Sequence, residues 1–186
     1  MKPSDIIKAQ LMDAQDMERT LARLARQVIE ELHPNDSSAA IIGMHRRGVY
    51  LARRLQTLIN DFEDIEIPVG TLDVTMYRDD LHRISRKVQM RSTNIPFDVT
   101  NRHLILVDDV LCTGRTVRAA MDAVTDFGRP ARIQFLTLVD RGHYELPIRA
   151  DMVGRVVPTI PGEEVRVQFN EIDDREGVWL VTRGSR

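Results

Sequence analysis

An α/β fold with an open central parallel sheet flanked by helices is what this sequence predicts, and three observations predict it. Apolar runs such as Ala39-Ala40-Ile41-Ile42, Leu104-Ile105-Leu106-Val107 and Phe135-Leu136-Thr137-Leu138-Val139 read as strands buried on both faces. The first two lead, through polar turns that contain glycine, into apolar residues repeating at helical spacing. Polar residues of the kind that bind ligands follow the runs, at the strand ends where open parallel sheets carry their sites.

The size suits this architecture. At 186 residues and 21.3 kDa, residues 1–186 are expected to form one domain with a full core. An apolar fraction of 42% beside 29% charged residues fits a globular chain. No apolar run approaches the roughly 20 residues of a membrane span, and Met1-Lys2-Pro3-Ser4-Asp5 lacks the sections of a signal peptide. One cysteine excludes an internal disulfide, so the expected location is cytoplasmic, with no membrane partner. The net charge of −2 excludes a uniformly basic nucleic-acid binder but leaves room for a local basic face. Its five histidines are scattered, without zinc-ligand spacing, so no structural metal is expected.

Along the chain, Met17, Leu21, Leu24, Ala25, Val28 and Leu32 form the apolar stripe of a helix over about residues 14–32, which His33-Pro34-Asn35-Asp36 ends. Arg19, Arg23 and Arg26 lie on another face, where Glu18, Glu30 and Glu31 balance them as a solvated surface. Residues 39–43 form the first core strand. The basic turn Met44-His45-Arg46-Arg47-Gly48 then precedes a helix marked by Leu51, Leu55, Leu58 and Ile59. That turn is either an anion site or an ordinary connection. Gly43 and Gly48 have the spacing of a nucleotide-binding P-loop, but Val49-Tyr50 stand where such a loop has lysine and a hydroxyl residue.

Residues 69–77 read as a strand, with Leu72, Val74 and Met76 alternating. The charged tract from Arg78 to Arg91 is either a mobile surface hairpin or an active-site lid, with Arg78 as a charge that arrives on closure. Gly128-Arg129-Pro130 separates the helix marked by Val117, Ala120, Met121, Val124 and Phe127 from a strand over 132–139. That strand ends at Asp140-Arg141, a pair able to read a planar base. Residues 165–169 and 178–181 look like closing strands joined by a turn at 173–177, with Trp179 in the core.

The chemistry concentrates in Asp108-Asp109-Val110-Leu111-Cys112-Thr113-Gly114-Arg115-Thr116. Gly114 permits close backbone approach, a helix start offers unpaired N–H groups, and the Thr113 and Thr116 hydroxyls add donors, which together make a phosphate cradle. Asp108 and Asp109 suit ribose hydroxyls and a transiently cationic carbon; the competing reading is that they cap the next helix. Cys112 lacks a visible base to make it a nucleophile.

The acidic pair followed by Thr-Gly-Arg-Thr resembles the fingerprint of type I phosphoribosyltransferases. Over about residues 21–167, the phrases Val107-Asp108-Asp109-Val110-Leu111, Tyr77-Arg78-Asp79-Asp80-Leu81 and Val139-Asp140-Arg141-Gly142-His143 are similar to the bacterial pyrimidine-operon regulator family, PyrR. The last phrase continues through Glu145-Leu146-Pro147-Ile148-Arg149-Ala150-Asp151.

This resemblance implies the type I phosphoribosyltransferase fold with a small hood, in a dimer or tetramer. It implies transfer of the phosphoribosyl group of PRPP to uracil, giving UMP and diphosphate, together with UMP- or UTP-dependent binding to the pyr mRNA leader. By the same likeness, Asp108, Asp109 and Arg78 would be catalytic, with Thr113, Gly114, Arg115 and Thr116 on the donor's 5′-phosphate. Arg46 and Arg47 would hold its diphosphate, while Asp140, Arg141 and Val157 contact the base. Arg23, Arg26, His143, Arg149 and Arg155 would face RNA, and Mg²⁺ would be held chiefly by donor oxygens rather than by protein ligands alone.

The sequence departs from the family at His45-Arg46, usually Lys-Thr, and at Ala22, usually Thr. It also departs at Cys112, usually aromatic, and at Tyr144, usually Arg. The competing expectations are a nucleotide-sensing RNA-binding regulator with little turnover and a type I transferase for another base.

Overall fold

The computed structural model describes residues 5–32, 38–63, 66–80 and 92–183. Within them the order is β1 (Asp5–Met12), α1 (Ala14–Glu31), β2 (Ala39–Met44), α2 (Gly48–Glu63), β3 (Val69–Leu72), a 3₁₀ turn (Thr75–Tyr77), β4 (His103–Leu111), α3 (Arg115–Thr125), β5 (Arg132–Asp140), β6 (Met152–Val156), β7 (Glu163–Gln168), α4 (Asn170–Asp173) and β8 (Gly177–Arg183). A parallel five-stranded sheet has the order β3-β2-β4-β5-β6, and a three-stranded antiparallel sheet, β1-β8-β7, forms the hood.

The apolar runs become central strands because a sheet covered by helices on both faces leaves them no solvent side. β2 is buried throughout, and β4 is buried from His103 to Asp108 and at Leu111. Alternating residues of β4 feed two cores: Ile105 and Val107 pack with α1, α2 and the hood, whereas Leu104 and Leu106 pack with α3. At the start of α1, the Asp16 amide donates to the Asp13 carboxylate at 2.7 Å and the Asp16 carboxylate accepts from the Asp13 amide, a reciprocal cap.

Several boundaries differ from those expected. The strand expected over 69–77 stops at Leu72, where Thr75–Tyr77 tighten into a 3₁₀ turn and pack against α3. β4 does not end before the acidic pair but carries it to Leu111, because β5 pairs alongside as far as Leu111–Asp140. The helix after the motif ends at Thr125, leaving Phe127 beyond it and 45% exposed. The expected turn at 173–177 begins at the last residue of α4. β1 is a strand that the sequence does not announce, because its apolar content is modest and its order comes from pairing with β8. Trp179 is buried, with the Arg175 guanidinium 4.1 Å from its ring centre. The helix terminator expected at 33–36 and most of the tract through Arg91 lie outside the described residues.

Direction reverses at the centre of the parallel sheet. From β2 the chain goes by α2 to β3 on one side; from β4 it goes by α3 to β5 on the other. A crevice opens at such a reversal, outside the carboxyl ends of the two strands. Here those ends carry the turns 45–47 and 112–114.

Candidate functional site

Two glycines bring the two turns together. A Cβ on Gly48 would lie 2.3 Å from the Val107 carbonyl oxygen and 3.1 Å from the Asp108 Cα, so only glycine lets the start of α2 rest on the end of β4. Gly43 acts likewise in the layer below, where a Cβ would lie 2.6 Å from the Gly48 carbonyl oxygen. The basic turn is thereby fixed against the acidic strand end.

Past Leu111 the chain turns through Cys112 and Thr113 to Gly114, which has φ +86° and immediately precedes α3. That left-handed conformation favours glycine. The N-cap residue Gly114 has no side chain to cap α3, and the Arg115 amide donates instead to the Thr113 hydroxyl at 3.3 Å. Uncapped N–H groups and the helix dipole make this end receptive to an anion.

A cavity of about 320 Å³ lies over this helix start. Asp108, the 112–116 turn, Arg78, Asp80 and Glu145 line it. Arg78 donates to the Thr116 hydroxyl at 3.0 Å and forks onto Asp80 at 2.8 and 2.6 Å. The Arg78 guanidinium holds the Asp80 carboxyl below its usual pKa. Arg115 spans the mouth, donating to Glu145 at 2.7 Å and to Asp79 at 2.6 Å. The sequence reading missed Asp80, Glu145 and Asp79 as partners. Asp79 and Asp80 adjoin Arg78 in the chain, but Asp79 and Glu145 meet Arg115 only once the turns are folded together.

Asp108 is 8% exposed, and its carboxylate accepts the Asp109 amide at 2.9 Å. Burial raises its pKa well above the usual carboxylate value, repulsion from Asp109 adds to the rise, and the Arg78 charge opposes it. Burial also raises Asp109, against the opposing effects of the Asp108 hydrogen bond and the Arg47 charge. Asp108 lines the cavity and Asp109 does not. A buried carboxylate beside a cavity is suited to stabilising a cation that forms there.

The remaining sequence-selected residues are distributed as follows. Arg46 is exposed, and Arg47 donates to both oxygens of Asp173 at 2.7 and 2.9 Å. Asp140 is buried and accepts from the Gly142 amide at 3.0 Å and the Tyr144 hydroxyl at 2.5 Å. Arg141 points into the hood, donating to Thr159 and the Glu163 carbonyl, so it does not share the Asp108 cavity. Val157 is half-buried, its amide donating to the Asp140 carbonyl at 2.8 Å.

Among the basic candidates, Arg23 donates to the Val153 and Gly154 carbonyls, and Arg155 to the Leu11 carbonyl. The Arg26 guanidinium lies 4.3 Å from the Phe62 ring centre, and that of Arg149 3.5 Å from the Tyr144 ring centre. His143 contacts the Thr159 carbonyl at 2.6 Å. Burial pushes the Cys112 thiol upward, away from a reactive thiolate.

Comparisons with known proteins place the chain in a family. A phosphoribosyl transferase domain model matches residues 8–170. The chain is 52% identical over 176 residues to the bifunctional protein PyrR of Thermus thermophilus, covering 95% of this chain and 97% of that one. It is 49% identical over 178 residues to the bifunctional protein PyrR of Oceanobacillus iheyensis, covering 95% and 98%. Among solved structures, a hypoxanthine phosphoribosyltransferase from Trypanosoma cruzi superposes with a TM-score of 0.73 at 17% identity, covering 94% of this chain and 95% of that chain.

Proposed function

Because this chain belongs to the PyrR family, within the phosphoribosyltransferase fold, we propose that it converts uracil and PRPP to UMP and diphosphate and also regulates pyrimidine genes by nucleotide-dependent binding to the pyr mRNA leader. The observation that carries the enzymatic reading is the meeting of Asp108, Arg78 and the uncapped start of α3 in one cavity. The phosphate of a sugar phosphate seats on 113–116, where Arg78 and Arg115 add charge. Its furanose then extends toward Asp108.

As the bond from ribose C1 to diphosphate breaks, positive charge spreads over the ring and the carboxylate field of the acidic pair opposes it. Arg46 and Arg47, in the adjoining turn, face the departing diphosphate. Asp140 and Val157, at the end of β5 and after β6, take the base whose nitrogen accepts the bond, and Arg141 joins them by leaving Thr159 and the Glu163 carbonyl, which hold it in the hood. Residues 1–186 act as one catalytic domain, in a cytoplasmic homo-oligomer.

Mg²⁺ suits this site as an ion carried in by PRPP. Asp108 offers oxygen ligands at the cavity, where magnesium would share them with oxygens of the donor. When bound, the ion would neutralise charge on the leaving diphosphate.

Incubation with PRPP, Mg²⁺ and single bases tests the assignment. Uracil is expected to give UMP and diphosphate, and hypoxanthine, xanthine and orotate to give background. Background turnover with uracil as well would leave a nucleotide-sensing regulator, and product from another base would make the chain a transferase for that base.

For RNA, the basic positions Arg23, Arg26, His143, Arg149 and Arg155 supply the contact surface, where Arg149 lies over the Tyr144 ring. Replacing one phosphate contact, as in Arg155→Ala, is expected to lower the slope of log K against log salt by about 0.7. Titration of a pyr leader RNA with and without UMP checks this, and an unchanged slope would remove Arg155 from the interface.

A further inference from the structure

Asp173 of the hood is remote in sequence from every motif above, yet it holds an arginine of the crevice. Arg47 leaves the turn that ends at Gly48, and Gly48 rests on the backbone of Val107 and Asp108. Its guanidinium uses a single nitrogen, Nη2, to reach both Asp173 oxygens at 2.7 and 2.9 Å. The Asp173 side chain is 12% exposed and that of Arg47 27%, so the pair is shielded from solvent more than an ordinary surface ion pair. Arg47 Nε is buried and has no partner among the described residues. The guanidinium fork is therefore half used, and its Nε, buried and unsatisfied here, is a donor that an oxygen-rich anion would satisfy by drawing the side chain toward itself.

Asp173 is itself fixed. Its carboxylate accepts the Phe169 amide at 3.2 Å, and its own amide donates to the Phe169 carbonyl at 2.9 Å. A separate clamp secures the same short helix to α2. Arg54, within α2, binds Glu171 at 2.9 and 2.8 Å. Arg54 also binds Glu176 at 2.5 and 3.0 Å. The hood thus meets α2 through two arginines, one that only fastens it and one that also faces the acidic strand end, where its charge acts on Asp109.

We propose that Asp173 is a positioning residue for the diphosphate end of the donor: by holding one nitrogen of Arg47, it aims the rest of the guanidinium into the crevice. This rests on the phosphoribosyltransferase reading above. A long, flexible cation loses much freedom when it binds an anion, and holding it beforehand removes that cost. Misplacement by about 1 Å can cost as much as a hundredfold in a site of this kind.

The test compares the full-length protein with Asp173→Asn, Asp173→Glu and Glu171→Gln. Calorimetry with inorganic diphosphate and Mg²⁺ gives Kd, and steady-state turnover of PRPP gives KM and kcat. Asp173→Asn is expected to raise both Kd and KM by about tenfold while kcat changes less than about threefold. Asp173→Glu should restore much of the loss. Glu171→Gln, which weakens the hood clamp without touching Arg47, should stay near wild type.

A loss in Glu171→Gln equal to that in Asp173→Asn would reduce Asp173 to a hood fastener. Unchanged or tighter diphosphate binding in Asp173→Asn would also overturn the inference, the latter making Asp173 a competitor of the substrate. Failure of the wild-type protein to bind diphosphate or PRPP would instead refute the transferase reading itself, an outcome separable from the others.

Discussion

Asp108→Asn is expected to lower kcat for UMP formation by about a hundred- to a thousandfold. The carboxylate lines the cavity and is 8% exposed, so its field on a forming cation is weakly screened. At an effective dielectric of about 20, a unit charge at ~4 Å contributes roughly 4 kcal/mol, and losing most of that gives this range. KM for PRPP should change far less, because the charge opposed is one that develops in the transition state. A rate within about threefold of wild type would remove Asp108 from the reaction.

The same variant should be more stable at neutral pH, by about 1 kcal/mol. Burial raises the Asp108 pKa in the folded protein, so over the window between its ordinary value and the raised one the native state binds more protons than the unfolded chain. Stability contributed by this group is thus greatest in acid and falls as pH rises through that window. Asparagine, neutral throughout, escapes the fall. Thermal melting should show the variant's advantage at pH 7 shrinking toward acid; a constant difference across pH would contradict the electrostatic cause.

Gly48→Ala is expected to cost about 3 kcal/mol and to lower Tm by roughly 6–12 °C, with activity reduced in the fraction that remains folded. The new methyl would lie 2.3 Å from a backbone oxygen of β4, which cannot move without disturbing the sheet. The measurements are a melting curve and the KM for PRPP. Wild-type values in both would mean that α2 and β4 have room to separate, contrary to the packing described.

Residues 104–116 were legible because their signal is local. An unbroken apolar run can be satisfied only between two covered faces, and the small residues after it leave a helix start uncapped. The parallel sheet and both crevice turns follow from that pattern repeated. What could not be read depends on partners distant in the chain. β1 gains its order from β8, at the other end of the sequence. Leu72 ends its strand where the pattern of Val74 and Met76 promised continuation, because alternation alone does not reveal a 3₁₀ turn docking on α3. Arg47 and Arg141 were visible as charges, but nothing nearby in sequence told that Asp173, Thr159 and Glu163 hold them. Asp109 looked equivalent to Asp108 on paper; only the folded strand separates the one that lines the cavity from its neighbour.

The reversal of chain direction between β2 and β4 has a mechanical corollary. On one flank of that seam the sheet continues from β2 to β3, and on the other from β4 to β5 and β6. A donor molecule with its phosphate on one flank and its diphosphate on the other would act as a cross-brace, knitting the halves with bonds that the polypeptide alone does not make. Its binding energy would then resist the parting of those halves, so that occupancy and cohesion of the fold rise together.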